Sequence, residues 1–423
     1  MMSFRPPRGT LDVLLDDADQ LQALYEASHT AARLFGFRYV ETPTFEHTEL
    51  YVRTSGETSD VVTKEMYTFQ DKGGRSVTLR PESTAGVVRA YLAHAHDLPT
   101  PFKTYYVGHH FRHDRPQAGR LREFRQFGVE IVGVGGPEAD VEVLALGERF
   151  ARERGLRAYA LHLNSIGDAQ CRPAYREELT RYFEPYLDQL DEDCRVRLGK
   201  NPLRVFDCKV DGRKDFVLAA PTIVDHLCGP CSEHFGAVRS GLDEAGVRYE
   251  LDPRLVRGLD YYTRTAFEWI STNEVSSQAA TFNAGGRYDG LAETLGGPAT
   301  PGVGFALGLD RVGLAMDREG VPRPPARATR CFVVAVGEGG ARAAARRLVE
   351  ELRDAGVSAE RSYEDRPLKA QLKMADHAGA TFAAIVGERE LAGGVVTLRR
   401  LADGEQETVA TEQLAERLVG EEP

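Results

Sequence analysis

Apolar residues recur at Leu21, Leu24, Ala27, Ala31 and Leu34, the three-and-four spacing of an amphipathic helix over residues 16–35, and Gly36 supplies its stop. Residues 37–45 then predict a strand, with Pro43 restricted to an edge or a bulge because it donates nothing to a ladder. Two longer runs, 102–111 and 124–132, predict strands bracketing a polar, arginine-rich stretch. That is a hairpin with a long loop, a length that in a compact domain points to function or disorder. Residues 161–256 read as mainly helical and less patterned, an insertion between segments of one sheet. Three prolines in REGVPRPPARATR, residues 318–330, break any period and mark a linker. Beyond it come a strand (331–336), a helix (341–355) ended by Gly356, a strand (357–362), a helix (368–377) ended by Gly379, strands at 381–386 and 395–401, and a helix from Thr411. Strands alternating with helices predict a small α/β domain over 331–423. The larger part is expected to be α+β, with its core in 1–160 and 257–317 and the helical insertion between them.

At roughly 150 residues per domain, 423 residues make two or three domains. Lys and Arg total 53 against 64 Asp and Glu, a net charge of −11, which excludes a protein that grips nucleic acid through bulk charge. No window approaches the roughly 18 uninterrupted apolar residues of a membrane helix, and MMSFRPPRGTLDVLL has no signal-peptide apolar core. A cytoplasmic location with no membrane partner is the expectation. Six cysteines are too sparse for a disulfide scaffold. Cys228 and Cys231 form a CxxC with His234 three residues on, and Cys194 and Cys208 lie in the same insertion, so four thiolates for zinc are conceivable. The second pair is not a CxxC. Buried thiols without metal are therefore the expectation.

Four patches carry chemistry. RHDRPQAGRLREFR, 112–125, holds Arg112, Arg115, Arg120, Arg122 and Arg125 against two acids. The planar guanidinium fork matches phosphate oxygens, so the loop suits a nucleotide or RNA, although a solvated basic loop has the same composition. In the strand that follows, Phe124, Gln126, Gly128 and Glu130 share one face at a period of two. A ring, an amide, a glycine and a carboxylate make a poor core face and a good pocket floor, with the glycine admitting the substrate. LRPESTAGVVRAY, 79–91, offers Ser83 or Thr84 as a helix cap and leaves Glu82 for a cationic amino group. LVRGLDYYTRTAFEW, 255–269, and FNAGGRYDGL, 282–291, place Arg257, Tyr261, Tyr262, Arg287 and Tyr288 beside glycines that permit close approach of a ligand. Paired tyrosines are, however, commonly core. TPGVGFALGLDRVGL, 300–314, reads as a strand running into a helix near Arg311, an anion-favouring arrangement without a Walker loop.

In this order and spacing the four segments resemble the histidyl-tRNA synthetases, of the class II aminoacyl-tRNA synthetases, and the resemblance runs from PPRGTLD (6–12) to the terminal domain. FRHDRPQAGRLREFRQFGVEI, RGLDYY and GGRYD are its specific motifs. The resemblance implies a catalytic domain on an antiparallel sheet and a terminal anticodon-binding domain. It implies that Glu82 and Thr84 hold the α-amino group of L-histidine, that Gln126 orients the amino acid, and that Glu130 and Tyr262 bind the imidazole, with Tyr261 and Tyr288 in the same pocket. Arg112 and Arg257 would flank the α-phosphate of ATP. Phe124 and Arg311 would sandwich the adenine, Arg120 would meet the terminal phosphates, and Arg115 and Gln117 the tRNA acceptor end. Arg112, Arg257 and Gln126 are the implied catalytic groups.

The implied reaction forms histidyl-adenylate and pyrophosphate from histidine and ATP with Mg²⁺, then moves histidine to the 3′ end of tRNA(His). It needs neither a protein nucleophile nor a tightly bound organic cofactor, and no metal ligands of the protein are assigned. The helix 16–35 and the strand through Pro43 would build a homodimer. Three positions depart from the family's usual pattern: Ser83 and Ala284 stand for glycine and Arg125 for histidine, with Ser83 expected to cap its helix and Arg125 to face away from Gln126. The alternative is a non-catalytic, histidine-sensing paralogue that regulates a phosphoribosyltransferase of histidine biosynthesis. Such proteins typically lose the arginines and lack the terminal domain, both of which are present here.

Overall fold

Two strands that the sequence predicts as one hairpin organise the larger of two units. The computed structural model describes residues 4–56, 59, 61–208, 210–273, 280–324, 329–337 and 340–420, and separates into Met1–Arg323 and Pro324–Pro423. The first unit holds the strands β1 (Arg38–Tyr39), β2 (Phe45–His47), β3 (Thr68–Gln70), β4 (Ser76–Leu79), β5 (Phe102–Phe111), β6 (Glu123–Val132), β7 (Tyr159–Ser165), β8 (Glu250–Leu251), β9 (Thr263–Ser271), β10 (Thr281–Arg287) and β11 (Gly302–Gly308). Eight of them form one sheet in the order β1-β5-β6-β11-β10-β9-β7-β8. Its six central strands are antiparallel, while β1 and β8 join the edges in parallel. β2, β4 and β3 make a separate small sheet.

Period-two burial gives the large sheet two different faces. Phe127, Val129 and Ile131 of β6 and Phe305 and Leu307 of β11 enter the main core. They pack there with the helices Asp16–Leu34, Pro137–Glu153, Gly229–Glu244 and Leu309–Glu319. Pro137 opens its helix at a position where the missing N–H costs nothing, and Gly320, at φ 68°, closes the helix that precedes it in left-handed conformation. The residues that alternate with the core set on β6 are those of the expected pocket floor.

Some expectations change. Residues 37–45 are not one strand: β1 and β2 belong to different sheets, and the chain leaves the ladder around Pro43. The boundary placed at 160/161 falls inside β7, and Leu309–Glu319 continues past the expected linker start at 318. The helical segments of the insertion run from Arg172 to Glu244, bracketed by β7 and β8 of the large sheet.

The second unit has its own core and a five-stranded sheet of β12 (Cys331–Ala335), β13 (Ala359–Arg361), β14 (Phe382–Val386), β15 (Val395–Arg400) and β16 (Gln406–Ala410), ordered β13-β12-β14-β15-β16. The first three are parallel and the last two antiparallel. β16 and the short helix Glu388–Gly393 escape a reading by hydrophobic period, because β16 is mostly exposed and polar.

Candidate active site

β5 and β6 register His110 against Phe124, Gly108 against Gln126 and Thr104 against Glu130, and β11 sets Gly308 beside Gln126 and Gly304 beside Glu130. Above this floor lies a cavity of about 1080 Å³ bordered by Glu82, Thr84, Arg112, Arg120, Phe124, Gln126, Arg257, Tyr261, Tyr262 and Arg311. Segments far apart in the chain thus meet in one space. Glu130 and Tyr288 lie beneath that lining, fully buried, and Arg115 and Gln117 are exposed on the loop.

Glu130 is 0 % exposed. It accepts hydrogen bonds from Thr84 Oγ1 at 2.7 Å and Tyr288 Oη at 2.5 Å. Burial pushes its carboxyl up to about 8 despite the two hydroxyls that favour the charged form. The ring centroids of Tyr261 and Tyr262 lie 4.6 Å apart with their planes tilted at 44°, and Tyr288 meets Tyr261 edge-on at 6.0 Å. All three tyrosines pack in one small core, and Tyr261 and Tyr262 also wall the cavity, so the two readings of the pair coincide. Gln126 Oε1 is buried with no hydrogen-bond partner among the described residues, an acceptor suited to a polar ligand.

The glycines serve this floor differently from expectation. A Cβ on Gly128 would fall 2.2 Å from Tyr106 Cζ, so Tyr106, not substrate, occupies the space that glycine leaves. One on Gly304 would lie 1.9 Å from Glu130 Oε2, which makes this glycine the condition for a carboxylate beneath the pocket. Gly285 and Gly286 admit the rings of Phe267 and Tyr262. Arg287 is also structural: it is buried against Asp140 and donates to the carbonyls of Val134 and Gly136.

The expected helix cap is overturned as well. Ser83 makes no capping bond; its Oγ lies 2.7 Å from Nε2 of buried His110. Thr84 turns to Glu130, and the open Ala85 N–H is taken by Glu82 at 3.0 Å. Glu82 therefore anchors the helix Thr84–His94 while bordering the cavity.

Cationic groups converge on the same space. The Arg112 guanidinium sits 5.5 Å from the Phe124 ring centroid, and its Nε donates to Pro81 O at 2.9 Å. Arg311 donates from Nε to Gly119 O at 2.7 Å and from Nη1 to Thr281 O at 2.6 Å, tying the loop to β10. Arg120 pairs with Asp114, and Arg257 pairs with Glu268 and lies 5.2 Å from the Tyr262 ring centroid. Burial first, then repulsion from Arg112 and Arg120, pushes Arg311 down to about 10. A bound anion would relieve that repulsion. Glu268 and Thr281, whose side chains bond each other at 3.0 Å, belong to this wall and escaped the sequence reading, since an alternating acid or threonine on a strand carries no signal of its own.

At the hairpin tip Gln117 and Arg120 exchange backbone hydrogen bonds of 3.1 and 2.9 Å, and Arg122 N donates to Gly9 O at 2.7 Å, docking the Pro6 to Asp12 segment. Arg125 donates to Asp310 from its backbone N (2.7 Å) and Nη1 (2.9 Å), bracing β6 against the helix Leu309–Glu319. The thiols do not form a four-cysteine site. They fall into two groups, Asp168, Cys171, Cys228 and Cys231, and Asp191, Cys194, Cys208 and Asp211. His234 instead faces Asp140 at 3.6 Å.

Residues 9–312 match the family model described as histidyl-tRNA synthetase, and residues 330–421 match an anticodon binding domain. The chain is 47 % identical over 415 residues to a histidine–tRNA ligase of Desulforamulus reducens, covering 98 % of each chain. It is 48 % identical over 418 residues to that of Desulforudis audaxviator, covering 99 % of each. Among solved structures, apo histidyl-tRNA synthetase of S. aureus is similar with a TM-score of 0.83 and 37 % identity, over 98 % of this chain and all of the other. On the cavity, the sheet that carries it and these likenesses together, the chain belongs to the histidyl-tRNA synthetase family.

Proposed function

We propose that the protein activates L-histidine with ATP and transfers the histidyl group to the 3′ end of tRNA(His). The observation that carries this reading is the pairing, in one site, of a buried carboxylate with a convergence of arginines. Glu130 lies six residues beyond Phe124 on β6, about 20 Å at roughly 3.3 Å per residue. That span separates an imidazole-sized pocket from the place for the nucleotide while keeping both on one strand.

Glu130 and Tyr262 receive the imidazole, with Tyr261 and Tyr288 closing the pocket. Glu82 and Thr84 hold the α-amino group, and Gln126, whose Oε1 is otherwise unpartnered among the described residues, orients the backbone of the amino acid. Phe124 and Arg311 take the two faces of the adenine. Arg112 and Arg257 hold the α-phosphate, and Arg120 the terminal phosphates. The histidine carboxylate attacks the α-phosphorus, pyrophosphate leaves, and the terminal ribose hydroxyl of tRNA then attacks the carbonyl of the adenylate. Alignment in the cavity supplies most of the acceleration, since effective molarities of well-oriented pairs reach roughly 10⁵–10⁸ M. The arginines stabilise charge growing on phosphate oxygens. Mg²⁺ would enter with the phosphates of ATP, and Glu65, a carboxylate on the cavity border, would help to hold it. When bound, the ion neutralises charge on the departing pyrophosphate.

Arg115 and Gln117, exposed on the loop, face the tRNA acceptor end in this reading, and the terminal unit binds the anticodon. A cytoplasmic homodimer completes it: Leu34, Tyr39, Phe45 and Phe69 are exposed on the segments assigned to the subunit interface and their neighbours, with Phe45 and Phe69 in ring contact at 6.5 Å. Charging of a tRNA(His) transcript tests the function. Histidine should be esterified to it and other amino acids not, because a pocket built to hydrogen-bond imidazole rejects analogues lacking it by roughly 10⁴-fold or more. Charging with another amino acid and not histidine would overturn the reading.

A further inference from the structure

We propose that Asp168, Cys171, Cys228 and Cys231 bind a structural zinc ion. Their ligand atoms all lie within 4.8 Å of one another. Cys171 Sγ is 3.8 Å from Cys231 Sγ, and Asp168 Oδ1 is 3.5 Å from Cys171 Sγ and 3.8 Å from Cys228 Sγ. Zinc in a tetrahedron, with Zn–S of about 2.3 Å and Zn–O of about 2.0–2.2 Å, sets sulfurs about 3.8 Å apart and sulfur and oxygen about 3.6 Å apart. The three edges at 3.5, 3.8 and 3.8 Å agree with those values, and the remaining three lie within 4.8 Å.

Local structure supports the same assignment. The ligands come as two pairs with two residues between them, Asp168 with Cys171 and Cys228 with Cys231, the spacing by which short turns present metal ligands. Gly167, at φ 65°, makes the first turn, and a Cβ there would fall 2.6 Å from Cys171 Sγ. The Asp168 N–H points at Cys171 Sγ at 3.2 Å, a contact that stabilises a thiolate. Asp168 Oδ2 faces Arg264 at 3.6 Å, while Oδ1 accepts the Gln170 N–H at 2.9 Å and faces the thiols, so the carboxylate is held in place toward the sulfurs. The second pair opens the helix Gly229–Glu244, whose dipole also favours anionic sulfur. The other group is a poorer candidate. It has two thiols where the first has three, and its Asp211 is neutralised by Lys214 at 2.6 Å.

The ion would staple the turn after β7 to the start of the Gly229–Glu244 helix, tying together the two ends of the segment between Asp168 and Cys231. The same turn holds Arg264 N through Gly167 O at 2.7 Å, and Arg172 donates to Tyr262 O, so the staple braces the strand entry that carries Tyr262. Metal analysis of the full chain, purified without chelator, tests this. About one zinc per chain is expected, lost by more than about 90 % in Cys171→Ser and in Cys228→Ser and retained in Cys194→Ser. Cys228 is only half-buried, so Cys228→Ser reads the loss without opening the core. Less than about 0.1 zinc per chain, a Cys171–Cys231 disulfide in the protein as purified, or zinc undiminished in Cys228→Ser would each overturn the site.

Discussion

Glu130 concentrates the chemistry of the pocket in one ionisable group. A carboxyl of ordinary pKa near 4.5 in the unfolded chain is held near 8 in the folded one, so between those values the folded state binds the extra proton. Its contribution to stability is therefore full below about pH 4.5 and is lost as pH rises through about 8, at up to about 1.4 kcal/mol per pH unit in between. Glu130→Gln, which mimics the protonated form, should remove that slope. Denaturant unfolding of both proteins from pH 5 to 8 checks it; parallel profiles would contradict the buried, raised carboxyl. Glu130→Ala should weaken histidine use at least about 10-fold while ATP use changes little, as read from separate KM values. At this scale the alternation Phe124, Gln126, Gly128, Glu130 made the floor legible in the sequence. The tenants of the glycines were not legible, because what fills the space beside Gly128 or Gly304 is decided by residues on neighbouring strands. Ser83 went the same way: a serine before a helix predicts a cap, and tertiary contact with His110 outcompeted it.

Elements bring these residues together, above all β6, which is flanked by β5 and β11 and lends one face to the core and the other to the cavity. Because Tyr106 fills the gap over Gly128, Gly128→Ala should destabilise the ligand-free protein by about 1–3 kcal/mol, measured by denaturant midpoint. An unchanged midpoint with a raised histidine KM would mean that substrate, not Tyr106, needs that space. Arg311 links the helix Leu309–Glu319 to Gly119 of the hairpin loop and to Thr281 of β10. Arg311→Ala should therefore raise the ATP KM by about 10-fold or more and increase proteolysis of the loop, since a charged donor and a clamp vanish together. Loss of ATP affinity with an unaltered loop would separate those two roles. Long periodic elements such as the hairpin strands and the first helix were legible from residue spacing, whereas β1, β2 and β16 are two to five residues long and exposed, too short or too polar for a period to register.

On the scale of the whole molecule the charge balance and the domain division set the expectations. The chain carries −11, and the segment from Cys331 onward, with 12 basic and 17 acidic residues, is net −5. Under the proposed function, tRNA would be recognised by a few placed arginines and by contacts with unpaired bases rather than by a charged surface. The affinity for tRNA(His) should fall with salt at a log–log slope no steeper than about −3, the yield of roughly four phosphate contacts on single-stranded RNA. A much steeper slope would contradict placed recognition. The two units each have a core and divide at Arg323, within the proline-rich segment 318–330, while the splitting of the cysteines into two groups needed the tertiary fold. The central claim is that one cavity binds histidine and ATP and joins them. Exchange of labelled pyrophosphate into ATP, with no tRNA present, measures that step alone: the account predicts exchange that requires histidine and falls at least about 100-fold in Arg257→Ala. No histidine-dependent exchange from folded protein, or exchange equally supported by other amino acids, would contradict it.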